Sequence, residues 1–277
     1  MQICIDNEQI DLGRYESYHS RRLALTLETI QRLGGGRTVE IGGHPWAMTA
    51  RLLDEPLVDL VATVSAEEVS VWPDALPVTR RDYEIVCPGR LPKKFTNFSA
   101  NIERTRFDLG DQVDLVLACE IIEHLTRAPH LMLLNANAWL RPGGRILITT
   151  PNGARFENPL RIKPKMPAYR ASTYSRHNYV FTMAGLVDLI ETCGFEIESA
   201  EFVSPYPRVG PSRIYPLLGR LPSRYLGEKF NQSLHVIARK VEDREVASRL
   251  PKVYVPSPDW ELIAQSSTAR GLVEPLE

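Results

Sequence analysis

The sequence predicts an α/β fold built on one doubly wound, mostly parallel sheet, and three observations point to it. Short apolar runs at 38–41, 57–64, 113–119 and 145–150 each stop abruptly in polar residues or glycine. Helical stretches alternate with these runs, the order of strand, crossover and next strand. The runs are rich in Val, Leu and Ile with little alternation, as strands covered by helices on both faces read. Glu40 and Glu120 fall at the carboxyl ends of two such runs, the edge where open α/β sheets gather their ligands.

From Tyr18 to Leu33, Leu23, Leu25, Leu27, Ile30 and Leu33 recur mostly at helical spacing among Arg21, Arg22, Glu28 and Arg32, and Gly34-Gly-Gly36 ends the pattern. An N-terminal helical cap over 1–34 is the expectation. Strand one is Thr38–Ile41. After Gly42-Gly43, the order His44-Pro45-Trp46 predicts a helix that starts with Pro at its first position, where the missing N–H costs least, and runs to about Asp54. Strand two is Leu57–Val64. The stretch 65–96 holds Pro73, Pro77, Pro88 and Pro92 and offers no good helix.

Val113–Cys119 is an apolar strand interrupted only by Asp114. Pro129–Trp139 follows as a helix, and Arg145–Thr150 as a strand after a Pro-Gly-Gly turn. Thr182 is the expected N-cap of a helix from Met183 to Cys193, with Gly194 as its stop. Phe195–Val203 and Leu234–Arg239 are strand-like runs expected to pair late in the sheet. Between them, 204–232 carries five prolines with interleaved Tyr and Arg and reads as an irregular insertion. Beyond Lys240 the pattern dissolves into a C-terminal extension over 241–277. The expected organisation is thus the cap, a main domain over 35–240 and the extension.

The 277 residues, 43% hydrophobic and 24% charged, suffice for one large core. A formal net charge of -1 provides no global field for polyanions, so nucleic acid is not the expected partner. Cys4, Cys87, Cys119 and Cys193 lack metal-ligand spacing and fit free thiols in a reducing compartment. The start Met-Gln-Ile-Cys-Ile-Asp-Asn-Glu has no signal-peptide character, and no apolar run approaches bilayer length. The chain reads as a cytoplasmic protein with no membrane span, and its oligomeric state is left open.

The ordered set Val39-Glu-Ile-Gly-Gly43, Val116-Leu-Ala-Cys-Glu-Ile-Ile-Glu-His-Leu125 and Leu140-Arg-Pro-Gly-Gly-Arg-Ile-Leu-Ile-Thr-Thr-Pro-Asn152 resembles the class I S-adenosylmethionine (SAM) dependent methyltransferases, in particular their type 11 and type 23 groups. The resemblance covers roughly residues 35 to 240. It implies a Rossmann-like sheet of seven strands with an antiparallel last strand, and SAM as cofactor. It further implies that Glu40 meets the methionine amino group, that Gly42, Gly43 and His44 line the turn, and that Asn101 and Ile102 lie at the adenine edge. Cys119 and Glu120 end the strand that faces the methyl group. The motif departs from the common form, because His44 and Trp46 replace its second and third glycines. The bland reading of Trp46, helix-to-sheet packing, is favoured. The acid that usually holds the ribose at the end of strand two is missing, and either Glu67 or Glu68 folds back to serve or Ser65 makes a weaker contact.

If the chain turns helical after Cys119, the spacing of Glu120, Glu123 and His124 places them on one face. Methyl transfer to a hydroxyl needs a proton removed, by a base or by a metal. His124 is the base by position, with Glu123 beside it and His177 from the segment Ser175-Arg-His-Asn178 at the acceptor. The Glu-x-x-Glu-His spacing also resembles the ligand set of metal-assisted RNA 2'-O-methyltransferases, and there Glu120, Glu123, His124 and His177 would hold a divalent metal, Mg or Mn before Zn. The metal-free reading is preferred. Arg176 and Tyr179 are further acceptor-binding candidates. In the insertion, Tyr206, Arg208, Arg213, Tyr215, Arg220, Arg224, Tyr225 and Lys229 fit an ordinary solvated lid better than a base-stacking surface. The expected activity is O-methylation of a hydroxyl on a small-molecule or saccharide acceptor. The alternatives are methylation of an RNA ribose and an inactive SAM-fold scaffold.

Overall fold

The computed structural model describes residues 2–65, 78–125, 128–155, 177–206 and 229–248. Glu67, Glu68, Arg176, most of the 204–232 insertion and the tail from 249 lie outside these residues.

In chain order the elements are β1 (Gln2–Ile5), β2 (Glu8–Asp11), α1 (Gly13–Leu33), β3 (Gly36–Ile41), α2 (Ala47–Asp54), β4 (Val58–Ser65), β5 (Thr79–Val86), β6 (Lys93–Ser99) and β7 (Val113–Cys119). After a single 3₁₀ turn at Ile122–His124 come α3 (Pro129–Trp139), β8 (Leu140–Pro151), α4 (Met183–Thr192), β9 (Phe195–Val203) and β10 (Ser233–Lys240). The strands form one ten-stranded sheet in the order β2-β1-β5-β6-β4-β3-β7-β8-β10-β9. Its seven-stranded part runs from β6 to β9. The neighbours from β6 to β8 pair in parallel, and β10 is antiparallel to both β8 and β9. Three antiparallel strands extend this unit beyond β6.

The sequence reading did not anticipate these three strands or β6. The N-terminal β1–β2 hairpin pairs Cys4 with Val86 of β5, so the segment before α1 is part of the sheet. β5 is mostly exposed and reads Thr-Arg-Arg-Asp-Tyr-Glu-Ile-Val, which carries little of the apolar signal that marks a covered strand.

Side chains leave the central strands alternately toward two cores. Val116, Ala118, Ile146 and Ile148 face a core shared with α3 and α4. Leu115, Leu117 and Leu147 face the other, covered by α1, α2 and the N-terminal hairpin. Asp114, the one polar residue in β7, accepts from the Arg37 N–H at 2.8 Å where β3 begins. Thr182 caps α4 as expected, accepting from the Gly185 N–H at 3.2 Å. The expected start of α2 is corrected: the His44–Pro45 peptide is cis, Trp46 sits at φ 70°, and the helix begins only at Ala47. A left-handed residue cannot continue a right-handed helix, so Pro45 lies in the preceding turn.

Lys240 closes the far end of the sheet. Its ammonium, in a residue only 3% exposed, donates to the Asn137 carbonyl at 2.7 Å and the Leu140 carbonyl at 2.8 Å. It thereby satisfies acceptors that α3 leaves open at its C-terminus. Lys240→Met should lower stability by about 2–3 kcal/mol in urea unfolding, because two buried charge-assisted hydrogen bonds disappear. A loss under 0.5 kcal/mol, roughly that of an ordinary surface change, would contradict this role.

Candidate active site

Glu40 and Glu120 lie on one rim. β3 and β7 are adjacent and parallel, with Glu40 opposite Leu117 and Ile41 opposite Ala118, so both chains leave the sheet on the same side. Glu40 is buried at 5% exposure, and its Oε2 accepts from Thr49 Oγ1 of α2 at 2.5 Å. Burial raises the Glu40 carboxyl to about 7, against the pull of Thr49 and of the Arg22 charge.

Arg22 is the residue that reading the sequence missed. It reaches in from α1, 7% exposed, and its Nη2 donates to the Tyr15 hydroxyl at 2.7 Å. The guanidinium acts on both Glu40 and Glu120. Tyr15, His19 and Arg22 recur at spacings of four and three, a polar stripe on one face of α1, and that is the signal that points to them. Arg22, Tyr15, Glu40, Gly42, Gly43 and Cys119 line one cavity of about 30 Å³, with α1 forming one wall. A buried cation beside a buried acid is the complement of an α-amino acid, whose carboxylate and ammonium it can pair separately.

The turn above β3 is shaped by glycine. Gly42 has φ 82°, and a Cβ there would stand 2.0 Å from Ile121 Cδ1, so the β7 loop packs directly onto bare backbone. A Cβ on Gly43 would stand 2.9 Å from the Trp46 ring. Trp46 itself packs into the core against Phe95 and Tyr83, with centroids at 5.2 and 5.8 Å, as the bland reading has it. His44 is exposed at the same turn and meets the Trp46 ring edge-on. At the end of β4, the Ser65 hydroxyl donates to Asn97 Oδ1 at 3.0 Å, leaving its oxygen lone pairs as acceptors. Asn101 Oδ1 accepts from the Glu103 N–H and closes a turn after β6, while Ile102 is buried in the larger core.

The one-face expectation for Glu120, Glu123 and His124 is corrected. Glu120 has φ 58°, and only a 3₁₀ turn at Ile122–His124 follows. The left-handed residue breaks the helical path and sends the two carboxylates to different faces of the sheet. Glu120 stays on the Arg22 side, its Oε1 accepting from Thr149 at 3.0 Å and its Oε2 from the Tyr206 hydroxyl at 2.8 Å. Tyr206, beyond β9, also stacks on Tyr18 of α1 at 5.2 Å, so this stretch and α1 meet over Glu120. Glu123 turns the other way, where Oε2 accepts from Thr150 Oγ1 at 3.0 Å.

His124 and His177 converge on Glu123. The backbone carbonyl of Glu123 accepts from the N–H groups of Asn178 (2.7 Å) and Tyr179 (3.0 Å), and the Asn178 amide donates to the His124 carbonyl at 2.9 Å. These bonds dock the 177–181 segment on the 3₁₀ turn and set the two imidazole rings 4.8 Å apart and nearly perpendicular. Burial raises the Glu123 carboxyl well above its ordinary range, with Glu120 adding to the effect. Burial, and then the His124 charge, lower His177 to about 4. Tyr179 instead stacks on Phe181 at 5.7 Å.

The folded state keeps a proton on Glu40 that the unfolded chain releases near pH 4.5, so this group's contribution to stability falls as pH rises from 4.5 to about 7. Glu40→Gln removes that loss. Between pH 5 and pH 8 the variant should lose less stability in urea than the wild type, by up to about 3 kcal/mol. An equal drop in both would show that Glu40 ionises normally.

Residues 18–200, well over half of the chain, match the family model described as a methyltransferase domain. A candidate SAM-dependent methyltransferase of Mycolicibacterium smegmatis is 36% identical over 86 residues, which span 31% of this chain and 30% of that protein. Two solved structures share the fold. One is the complex between the Haloferax volcanii Trm112 methyltransferase activator and a candidate methyltransferase, with a TM-score of 0.52, 13% identity, and 83% of this chain and 95% of that one covered. The other is a candidate SAM-dependent methyltransferase from Listeria monocytogenes, with a TM-score of 0.50, 10% identity, and 80% and 99% covered. Among the described residues no helix is long and apolar enough to cross a membrane. Because that match takes in well over half of the chain, Arg22, Glu40, Gly42, Glu120 and both site histidines included, the chain belongs to the methyltransferase domain family.

Proposed function

We propose that the protein methylates a hydroxyl on a small-molecule or saccharide acceptor. Glu40 and Arg22 hold the amino-acid end of SAM, and the corner formed by Glu123, His124 and His177 receives the acceptor. The observation that carries this reading is the split at Glu120, which leaves the cavity lined by Arg22 and Glu40 on one face of the β7 end and a carboxylate–imidazole cluster on the other. SAM supplies a methyl group on a sulfonium. Its transfer breaks the S–CH₃ bond as O–CH₃ forms, leaves the electron pair on sulfur, and requires the hydroxyl proton to be withdrawn.

In this reading Glu40 takes the ammonium and Arg22 the carboxylate of the methionine moiety, as a charge-assisted pair on each. Gly42 and Gly43 form the turn beside the nucleoside, their lack of side chains making room for Ile121 and Trp46, with His44, Ser65, Asn101 and Ile102 further along the same rim. Cys119 and Glu120 lie between donor and acceptor. Glu120 is braced by Thr149 and Tyr206, and so holds position as the two substrates approach. Positioning at near-attack distance with water excluded supplies much of the rate, and the cluster supplies the proton withdrawal.

Glu40 must be ionised to pair with the ammonium, so SAM affinity measured by calorimetry should rise about tenfold from pH 6 to pH 8, the interval spanning its value of about 7. Arg22→Met should weaken SAM by at least about 30-fold. Affinities flat with pH and indifferent to Arg22 would place the methionine end elsewhere.

The acceptor reading is tested with methyl-labelled SAM and a panel of hydroxyl-bearing small molecules, sugar conjugates, amines and RNA. An O-methyl product is expected; label found only on nitrogen or in RNA would overturn it. Glu123→Gln and His177→Ala should lower kcat by about 10²–10⁴-fold while SAM affinity stays within twofold or so. Unchanged kcat in both would remove the cluster from the reaction.

A further inference from the structure

Glu123 Oε1 is a buried carboxylate oxygen with no hydrogen-bond partner, in a residue 1% exposed. Its sister oxygen is fixed by Thr150. Two imidazole nitrogens face it, His124 Nε2 at 3.9 Å and His177 Nε2 at 4.0 Å. Both distances exceed a hydrogen bond, so neither ring satisfies the oxygen as a donor. Protonating the carboxyl does not resolve the matter, because a proton on Oε1 would itself find no acceptor within reach. The three donor atoms lie within 4.8 Å of one another, and among the described residues they form the one group of three or more such side chains assembled closely enough to share an ion. Their backbones are already tied together through the Glu123 and His124 carbonyls, so convergence is built in before any ion arrives.

We propose that Glu123, His124 and His177 bind one divalent transition metal ion of the zinc class. One carboxylate oxygen and two imidazole nitrogens make a donor set that suits Zn(II) or Fe(II), whereas Mg(II) and Ca(II) prefer oxygen throughout. Glu120 is not a ligand, since both of its oxygens are committed to Thr149 and Tyr206. Its absence moves the preference away from Mg and Mn. Three protein ligands leave at least one coordination position open, the arrangement of a site that takes a substrate atom. Thr150 supplies the supporting contact that orients the ligating carboxylate.

The ion site rests on these three side chains alone. Its use in methyl transfer rests on the acceptor reading above, in which a hydroxyl on the open position would lose its proton near neutral pH.

The test uses the full chain, stripped with EDTA and dialysed. Zn(II) binding is followed by calorimetry, and Co(II) is added as a visible-absorption reporter of nitrogen–oxygen ligation. One equivalent of each ion should bind the wild type. Glu123→Gln and His177→Asn should each weaken binding by more than about 100-fold, and Thr150→Ala by about 10–100-fold. SAM calorimetry on the same variants controls for folding and should be unchanged. Equal ion binding by the wild type and the Glu123 and His177 variants, or no stoichiometric binding by the wild type, would overturn the site. A wild type that binds one Zn(II) but no SAM would refute the cofactor reading and still support the ion site.

Discussion

The left-handed turn at Glu120 decides where everything else in the site lies. A non-glycine residue at φ 58° costs of order 1–3 kcal/mol, and it persists only where the surroundings fix it. Here its N–H donates to the Thr149 carbonyl at 2.8 Å, and its carboxylate accepts from Thr149 and Tyr206. Had the chain gone on as a helix from Cys119, Glu120, Glu123 and His124 would share one face and compete for the same space. The reversal gives Glu120 to the side of Arg22 and delivers Glu123 to Thr150 and the histidines. One strand end thereby serves two environments of opposite character.

Those environments handle charge differently. On the α1 side, a guanidinium that is always ionised sits among two carboxylates and two phenols, with its Nη2 donating to Tyr15. At Glu123 one carboxylate oxygen is held by Thr150, while the other has no hydrogen-bond partner and faces two nitrogens across gaps of about 4 Å. A buried acceptor left unsatisfied marks a place where something further binds or reacts.

Much of the architecture was legible in the sequence, and the exceptions have physical causes. β7 and α3 were readable to the residue because an apolar run ends at a polar turn and Pro129 opens the helix. β5 was not, since a strand exposed along most of its length needs few apolar residues and the flanking Pro77 and Pro88 look like loop. Glu40, Gly42 and Gly43 stood out because a strand followed by glycine is a local pattern. Arg22, Tyr15 and Tyr206 come from elements outside the ordered motifs, and only the fold brings them to the rim. The spacing of Glu120, Glu123 and His124 misled because it presumes helical geometry, and a single positive φ cancels that presumption.

Tyr206 joins two parts of the chain that are 188 residues apart, through its stack on Tyr18 and its bond to Glu120. The same side chain therefore meets the N-terminal helix through its ring and Glu120 through its hydroxyl. Losing that one side chain would remove a contact of α1 and a brace of Glu120 together, so the packing of the first helix and the placement of a carboxylate at the far end of β7 are linked through a single residue.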